Sequence, residues 1–260
     1  MKYAIMSDAH ANPVALETAL KDAQRFKCDR RVFLGDVTGY GYDVHATLKL
    51  VRQSFDVALM GNHDSAALGR EDPQEIRENR NYDQDVRQGR ELAASDVRWL
   101  GSRKYQVDEK GARFVHADFI EPSQWGYVAF REDAEANFRI CRKRVMFCGH
   151  LHHAAVWAYD KNGRVSAKFD FNRPVVKAES VSFVLQKGCR YIVNVGSVGY
   201  PRHDLCSTYA IWDTESDRMT IRRLPFDFKS FIHGMIDSGV GLPGWLMQML
   251  EIAARRSRAG

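Results

Sequence analysis

The sequence predicts an α/β protein, a four-layer α/β/β/α sandwich of two mixed sheets flanked by helices. Two observations predict it. The first 60 residues alternate short apolar strands with amphipathic helices, a β-α-β-α-β rhythm that argues for parallel pairing. Beyond about residue 103 the strands come in sets joined by tight turns, with a helical stretch among them. Two sheets packed face to face, with helices outside, satisfy both patterns.

Each element has its own signal. "KYAIM" reads as a short buried strand, and "SDAHAN" follows as a polar loop. Asn12 is placed to cap a helix with Pro13 in its first turn. Leu16, Ala19, Leu20, Ala23 and Phe26 recur at helical spacing, which predicts an amphipathic helix over 13–26. "RRVFLGD" is a second strand ending at Gly35-Asp36. A helix near 44–54 and a strand over 56–60 come next, the latter running into Gly61-Asn62-His63-Asp64. Residues 65 to about 102 are charged and helix-prone without a strand signal, so they read as a helical insertion. Strands resume at "KYQVD" and "ARFVHAD" with a turn through 109–111. A helix near 131–143 precedes the strand "RVMFCGH". "AVWAYDKNGRVSAKFDF" is a hairpin whose Asn162-Gly163 pair marks the turn. "RYIVNVGS" and "STYAIWDTESDRMTIRRL" supply three further strands. Residues 225–260 read as a helical appendage of two helices broken at "GLPG".

Composition narrows the function classes. The 260 residues are 45% hydrophobic and 27% charged, ordinary for a globular protein, and bound the chain to one domain with its insertion and appendage. No run of 18 apolar residues exists and the N-terminus lacks a long apolar core, so neither a membrane span nor a signal peptide is expected. Five scattered cysteines without a CxxC pair fit reduced thiols, hence a cytoplasmic protein. The net charge of +5 favours anionic ligands, but "CRKR" and "RRSR" are too short to carry a nucleic-acid surface.

The polar ends of the strands carry the chemistry. They are Asp8-x-His10, Gly35-Asp36, Gly61-Asn62-His63-Asp64, His116 and Gly149-His150-x-His152. A lone histidine is commonly a core residue satisfied by hydrogen bonds. Five of the nine histidines at successive strand ends fit that explanation poorly. Imidazole and carboxylate bind Zn, Mn and Fe, with carboxamide oxygen a weaker hard ligand. No cysteine joins the set, which argues against a structural zinc site. Seven candidates (Asp8, His10, Asp36, Asn62, His116, His150 and His152) are too many for one ion with an open position. They suffice for two ions, about 3.5–4 Å apart, if one carboxylate bridges. Two divalent ions with Asp8 and Asp36 leave a site of charge +2, suited to a phosphate ester. A bridging hydroxide would attack phosphorus in line, with His63 protonating or stabilising the leaving oxygen and Asp64 orienting the loop.

This ordered set, spanning residues 8 to 152, resembles the calcineurin-like metallophosphoesterase superfamily, and "NVGSVGYPR" resembles a segment of its bacterial small phosphodiesterase and uncharacterised phosphatase branch. The resemblance implies the same two-sheet sandwich. It assigns one metal to Asp8, His10, Asp36 and His152, and the other to Asp36, Asn62, His116 and His150, with Asp36 bridging. It places Asp36, Asn62 and His63 at the reaction centre. The cofactors expected are two divalent ions, manganese foremost, with Fe, Zn, Ni or Mg as alternatives. One departure bears on substrate. Protein Ser/Thr phosphatases of the superfamily carry an Asp-Arg pair, which orients the catalytic histidine and clamps phosphate, where "GDVTGYGYD" has Gly39-Tyr40. A protein-phosphatase role is therefore not expected.

The expected function is hydrolysis of a small phosphodiester, phosphomonoester or nucleotide, without a membrane or nucleic-acid partner. A metal-binding scaffold without turnover is the alternative, but it would not need a complete ligand set with His63. A nuclease would want a long basic groove. "GDVTGYG" and "GSVG" read as tight turns rather than nucleotide loops, because neither ends in Gly-Lys-Ser/Thr. Tyr40, Tyr42, Trp125 and Tyr127 are loop aromatics that could stack on a base, and Arg202 and His203 lie where they could reach substrate. The apolar "GWLMQMLEIAA" is expected to pack on the body of the protein.

Overall fold

The computed structural model describes residues 1–72, 74, 82–167, 175, 177–202 and 206–242. Its strands are β1 (Lys2–Met6), β2 (Arg30–Phe33), β3 (Val57–Ala58), β4 (Gln106–Glu109), β5 (Ala112–Val115), β6 (Val145–Cys148), β7 (Ala154–Tyr159), β8 (Val165–Ala167), β9 (Glu179–Val184), β10 (Arg190–Val195), β11 (Cys206–Asp213) and β12 (Arg218–Pro225). The helices are α1 (Pro13–Arg25), α2 (Val44–Ser54), α3 (Asn62–Ala67), α4 (Asp83–Glu91), α5 (Ala94–Gly101), α6 (Arg131–Ile140) and α7 (Phe228–Asp237).

The strands form two six-stranded mixed sheets, ordered β3-β2-β1-β11-β12-β9 and β4-β5-β6-β10-β7-β8. β1, β2 and β3 pair in parallel, as the opening rhythm predicts, and β11 closes on β1 antiparallel. In the second sheet β5, β6 and β10 are parallel, with antiparallel hairpins at either side. Period-2 alternation then sorts the side chains into layers. Tyr3 and Ile5 of β1 face the other sheet, among Phe114, Phe147, Tyr191, Val193 and Trp212. Ala4 and Met6 face outward onto the α1 and α2 residues Leu16, Leu48 and Val51, with Phe231 of α7. On the far side α6 lays Phe138 against Met146 and Ile192. This gives the four layers read from the sequence.

Three local expectations differ from the structure. Asn62, His63 and Asp64 do not trail off a strand but form the first turn of α3. That position suits them, because first-turn N–H groups lack helical partners and Asp64 accepts from the Gly61 N–H at 3.1 Å. The hairpin after β7 turns over five residues, 160–164, rather than on Asn162-Gly163 alone. The Asp160 carboxylate there accepts from the N–H groups of Asn162 and Arg164, and Gly163 takes φ +79°. β9 has no counterpart among the predicted strands. It is an edge strand with every second residue exposed, so its Ser- and Glu-containing alternation buries little beyond Val181 and Phe183. Of the predicted C-terminal helices, α7 is observed and "GWLMQMLEIAA" lies outside the described residues.

None of the five cysteines forms a disulfide, and all but Cys28 are buried. No described helix is long and apolar enough to cross a membrane. One buried ion pair ties α1 to β12. Arg222 binds Asp22 through Nε and Nη2, both at 2.8 Å, and Tyr209 donates its hydroxyl to the same carboxylate at 2.8 Å. Replacing Asp22 with alanine strands the guanidinium, which costs about 3–5 kcal/mol for a buried pair. Urea unfolding of Asp22→Ala is expected to register a loss of that size, and a loss under about 1 kcal/mol would mean that water already screens the pair.

Candidate metal centre

The two sheets bring four loops and the start of α3 to one edge. The loop after β1 carries Asp8 and His10, that after β2 carries Asp36, and α3 after β3 presents Asn62 and His63. The loop after β5 carries His116, and that after β6 carries His150 and His152. The loops are pinned together by their backbones. Asp8 and His10 donate N–H to the carbonyls of Gly35 and Asp36, both at 3.0 Å, and Gly149 donates to His116 O at 2.8 Å. "GSVG" lies against this frame: Val198 and Gly199 donate N–H to the carbonyls of Ser7 and Asp8, so the segment buttresses the Asp8 loop. Asp64 fixes the Asp36 loop, accepting from the N–H groups of Asp36, Val37 and Thr38 at 2.9, 2.9 and 3.1 Å.

Two groups of donors result. Asp8, His10, Asp36 and His152 form one and Asp36, His116 and His150 the other, with the donor atoms of each lying within 4.8 Å of one another. Asp36 belongs to both. Its Oδ2 stands 3.6 Å from His10 Nε2 and 3.3 Å from His116 Nε2. Asn62 joins the second group through Oδ1, 3.1 Å from His116 Nε2. All seven predicted ligands therefore converge.

The donor chemistry fits cations. His10 Nδ1 and His152 Nδ1 each lie 2.8 Å from a backbone carbonyl, of Thr38 and Tyr200 respectively. Each carbonyl fixes the proton on Nδ1, so both Nε2 atoms carry lone pairs, and these face one another at 3.0 Å. Two lone pairs that close call for a positive charge between or beside them. Asp36 Oδ2 and His150 Nε2 are buried without a hydrogen-bond partner. Burial lowers His10 to about 4 and His150 to about 3, which keeps them neutral, the form that ligates metal. Burial opposes charge on His116 too, yet the Asp36 carboxylate outweighs it and raises that imidazole to about 9. Burial would raise Asp8 and Asp36, but the surrounding imidazoles, His152 foremost for Asp8 and His116 for Asp36, hold both carboxyls low.

Backbone strain marks the same atoms. Asp8, His10, Asp36, His150 and His152 all adopt positive φ, between 45° and 65°. Left-handed backbone is uncommon outside glycine, and its concentration on five of seven donors is the mark of a site held for function.

The residues around His63 were less legible. Its Nδ1 lies 2.7 Å from the Asp85 carboxylate, which comes from α4 in the inserted segment. Burial lowers His63, but Asp85 and then Asp36 outweigh it and raise the imidazole to about 9. Burial raises Asp85 to about 6 against the pull of His63. The acid expected, and missing, at Gly39 thus arrives from 46 positions downstream. Gly39, at φ +91°, leaves the room: a Cβ there would stand 2.7 Å from His63 Nδ1 and 2.8 Å from Asp85 Oδ1. Gln88, one turn on, accepts from Gly39 N–H at 2.8 Å and donates to Gly41 O at 3.0 Å, fastening α4 to this loop. Gly89 lets α4 approach the α3 backbone, since a Cβ would lie 2.0 Å from Ala67 O. The only sequence signal was the spacing of Asp85 and Gln88 on one helical face.

A cavity of about 250 Å³ opens over the donors, lined by Tyr40, Asn62, His63, Tyr82, Trp125, Tyr127 and Arg202 among others. A larger cleft of about 580 Å³ between α1 and α2 has none of the clustered donors. Tyr42 turns away from the cavity and packs against Phe231 and Gly234. His203 lies outside the described residues.

The sequence pattern of the calcineurin-like phosphoesterase superfamily domain matches residues 1–217. The chain belongs to this superfamily. A crystal structure of a metallophosphoesterase from Sphaerobacter thermophilus superposes with a TM-score of 0.78 at 29% identity, over 95% of this chain and 97% of that one. A hypothetical protein of Pyrococcus horikoshii shares the fold at TM-score 0.70 and 14% identity, over 96% and 97% of the two chains. An uncharacterized protein of Methanocaldococcus jannaschii is 26% identical over 95% of this chain and 96% of its own. As a calcineurin-like phosphoesterase the chain joins a dinuclear metal-dependent family, and its buried Asp/His groups are capable of holding metal.

Proposed function

We propose that this calcineurin-like phosphoesterase is a cytoplasmic, dinuclear-metal-dependent hydrolase of small phosphate esters, with His63 assisting the leaving group. The observation that carries the reading is Asp36: one buried carboxylate shared by two donor groups, beside a histidine paired with an acid. Asp8, His10, Asp36 and His152 would hold one ion, and Asp36, Asn62, His116 and His150 the other. The mixed nitrogen and oxygen donors favour manganese, iron or zinc over calcium. Bound there, two divalent ions supply electrophilic charge to the phosphoryl oxygens and a nucleophile at neutral pH.

The chain's own residues do the rest. Asp85 occupies Nδ1 of His63, so the proton available for transfer is on Nε2, the nitrogen left for the cavity. Asp36 Oδ1 accepts from the His63 N–H at 3.0 Å, which sets the histidine against the shared carboxylate. Asn62 is steadied by Tyr82, whose hydroxyl accepts from its Nδ2 at 3.3 Å. Arg202 adds positive charge at the rim, its Nη2 donating to the Tyr40 hydroxyl at 2.8 Å. A cavity of about 250 Å³ sits below the usual range for ligand sites, roughly 300–1,000 Å³, which favours a small ester over a folded protein substrate.

The test is reconstitution. Manganese-loaded protein is expected to hydrolyse bis(p-nitrophenyl) phosphate or p-nitrophenyl phosphate, and prior chelation to abolish it. If the loaded protein cleaves neither ester, the hydrolase reading is wrong.

A further inference from the structure

We propose that the rim formed by Trp125 and Tyr127 is a stacking platform for a planar aromatic arm of the substrate, so that the ester hydrolysed is a phosphodiester whose retained arm is a nucleoside or similar aryl group. The inference rests on the hydrolase reading and names its substrate class.

Tyr127 is placed as a platform. One face of its ring lies on His150, centroid to centroid 4.2 Å at 24°. The residue is nonetheless 54% exposed. Among the described residues its ring stacks on no ring but that of His150. Trp125 is held beside it at φ +58°, a costly conformation for so bulky a residue. Its indole N–H donates to Glu71 at 3.1 Å, and its ring lies 5.6 Å from Tyr105 and, edge-on, 6.0 Å from His116. Gly126 between them sits so close to Asp118 that a Cβ would fall 2.5 Å from its Oδ2. The loop is thus fixed, and it keeps an exposed aromatic ring at the mouth of the site.

The placement also says which arm stacks. His63 keeps company with Tyr40 and Tyr82, at 4.6 and 5.4 Å between centroids. Tyr127 and Trp125 instead accompany His150 and His116. The leaving oxygen belongs on the His63 side, so the arm over Tyr127 is the one that stays on phosphorus. At about 250 Å³ the cavity lies below the usual range for ligand sites, roughly 300–1,000 Å³, which favours a retained arm on the rim. Arg202 faces an anionic oxygen from there: it packs on Tyr40 and Tyr200 at 5.4 and 5.8 Å and, among the described residues, makes no ion pair. Aromatic stacking tolerates any base, since every base has a π-face.

The experiment uses two diesters with one leaving group, thymidine 5′-(p-nitrophenyl phosphate) and methyl p-nitrophenyl phosphate, and three manganese-loaded proteins: wild type, Tyr127→Ala and Tyr127→Phe. In the wild type kcat/KM is expected to favour the nucleoside ester. In Tyr127→Ala the ratio of the two values falls about tenfold, as loss of one stacked base implies, and Tyr127→Phe restores it. Calorimetry supplies a readout without turnover, with thymidine 5′-monophosphate binding about tenfold more weakly to Tyr127→Ala while methyl phosphate does not discriminate the proteins to that extent. A ratio that stays constant, or an equal loss on both esters and both monophosphates, overturns the platform and leaves Tyr127 a cover for His150. Cleavage of neither ester by the wild type defeats the hydrolase reading instead, and the calorimetric comparison then still decides the platform.

Discussion

Asp36→Asn is expected to empty both halves of the metal centre at once. Asparagine keeps the shape of the side chain, and its amide oxygen can still accept from the His63 N–H. It removes the charge and places an N–H₂ group or a weak neutral acceptor where Oδ2 stands, 3.6 Å from His10 Nε2 and 3.3 Å from His116 Nε2. Neither group of donors is then complete. Metal analysis should find fewer than one ion per chain where the wild type holds two. The several kcal/mol that bound ions contribute to phosphoryl chemistry translate into a loss of about a thousandfold or more in kcat/KM. Thermal unfolding of the metal-free proteins separates this from misfolding. Near neutral pH the metal-free variant loses the pairing by which Asp36 raises His116 to about 9, so it should melt somewhat lower than the metal-free wild type but still in one cooperative transition. A variant that still binds two ions and turns over at the wild-type rate would remove the bridging role of Asp36.

The second large effect is His63→Ala. General acid assistance contributes typically about 10²–10⁴-fold, so kcat should fall by that factor while both ions remain bound. The loss should shrink as the leaving group improves, because a good leaving group needs little help from a proton. Asp85→Asn tests the same residue from behind. Asp85 is the main influence holding His63 up to about 9 against burial. In the proposed role His63 donates a proton, so activity is expected below its pKa and should be lost as pH rises through it. Removing Asp85 lowers that pKa and moves the alkaline limb of the pH–rate profile to lower pH. An alkaline limb at the same pH in both proteins would mean that another group supplies the proton.

The seven donors were legible because six sit in loops that follow apolar strands and Asn62 opens the helix after β3, places where a polar cluster has no packing purpose. Their order also survives in the sequence, since one loop follows one strand. Asp85 was not legible for the opposite reason. It lies in a charged helix whose composition predicts a solvated face, and only the tertiary docking of α4 on the Gly39–Gly41 backbone buries it. The absence of an acid at position 39 was readable; what replaces it was not, because no local rule links residue 39 to residue 85. The four-layer architecture followed from alternation and helix spacing. β9 escaped because an edge strand needs to bury only one face, and residues such as Ser180 and Ser182 serve the other without a strong pattern. Tyr42 and Tyr127 are both loop tyrosines in the sequence, yet one fills the space above Gly234 and the other stands at the site mouth. That difference belongs to the packing of α7, which no local window contains.

The left-handed backbone at Asp8, His10, Asp36, His150 and His152 has a consequence for evolution and engineering alike. Glycine would sit at those five positions with less tension, and a design aimed at heat resistance alone would choose it. Every such exchange deletes a ligand. Robustness and turnover therefore compete residue by residue along these loops, and a thermally hardened variant of this protein has to find its gains elsewhere, in the sheets and the outer helices.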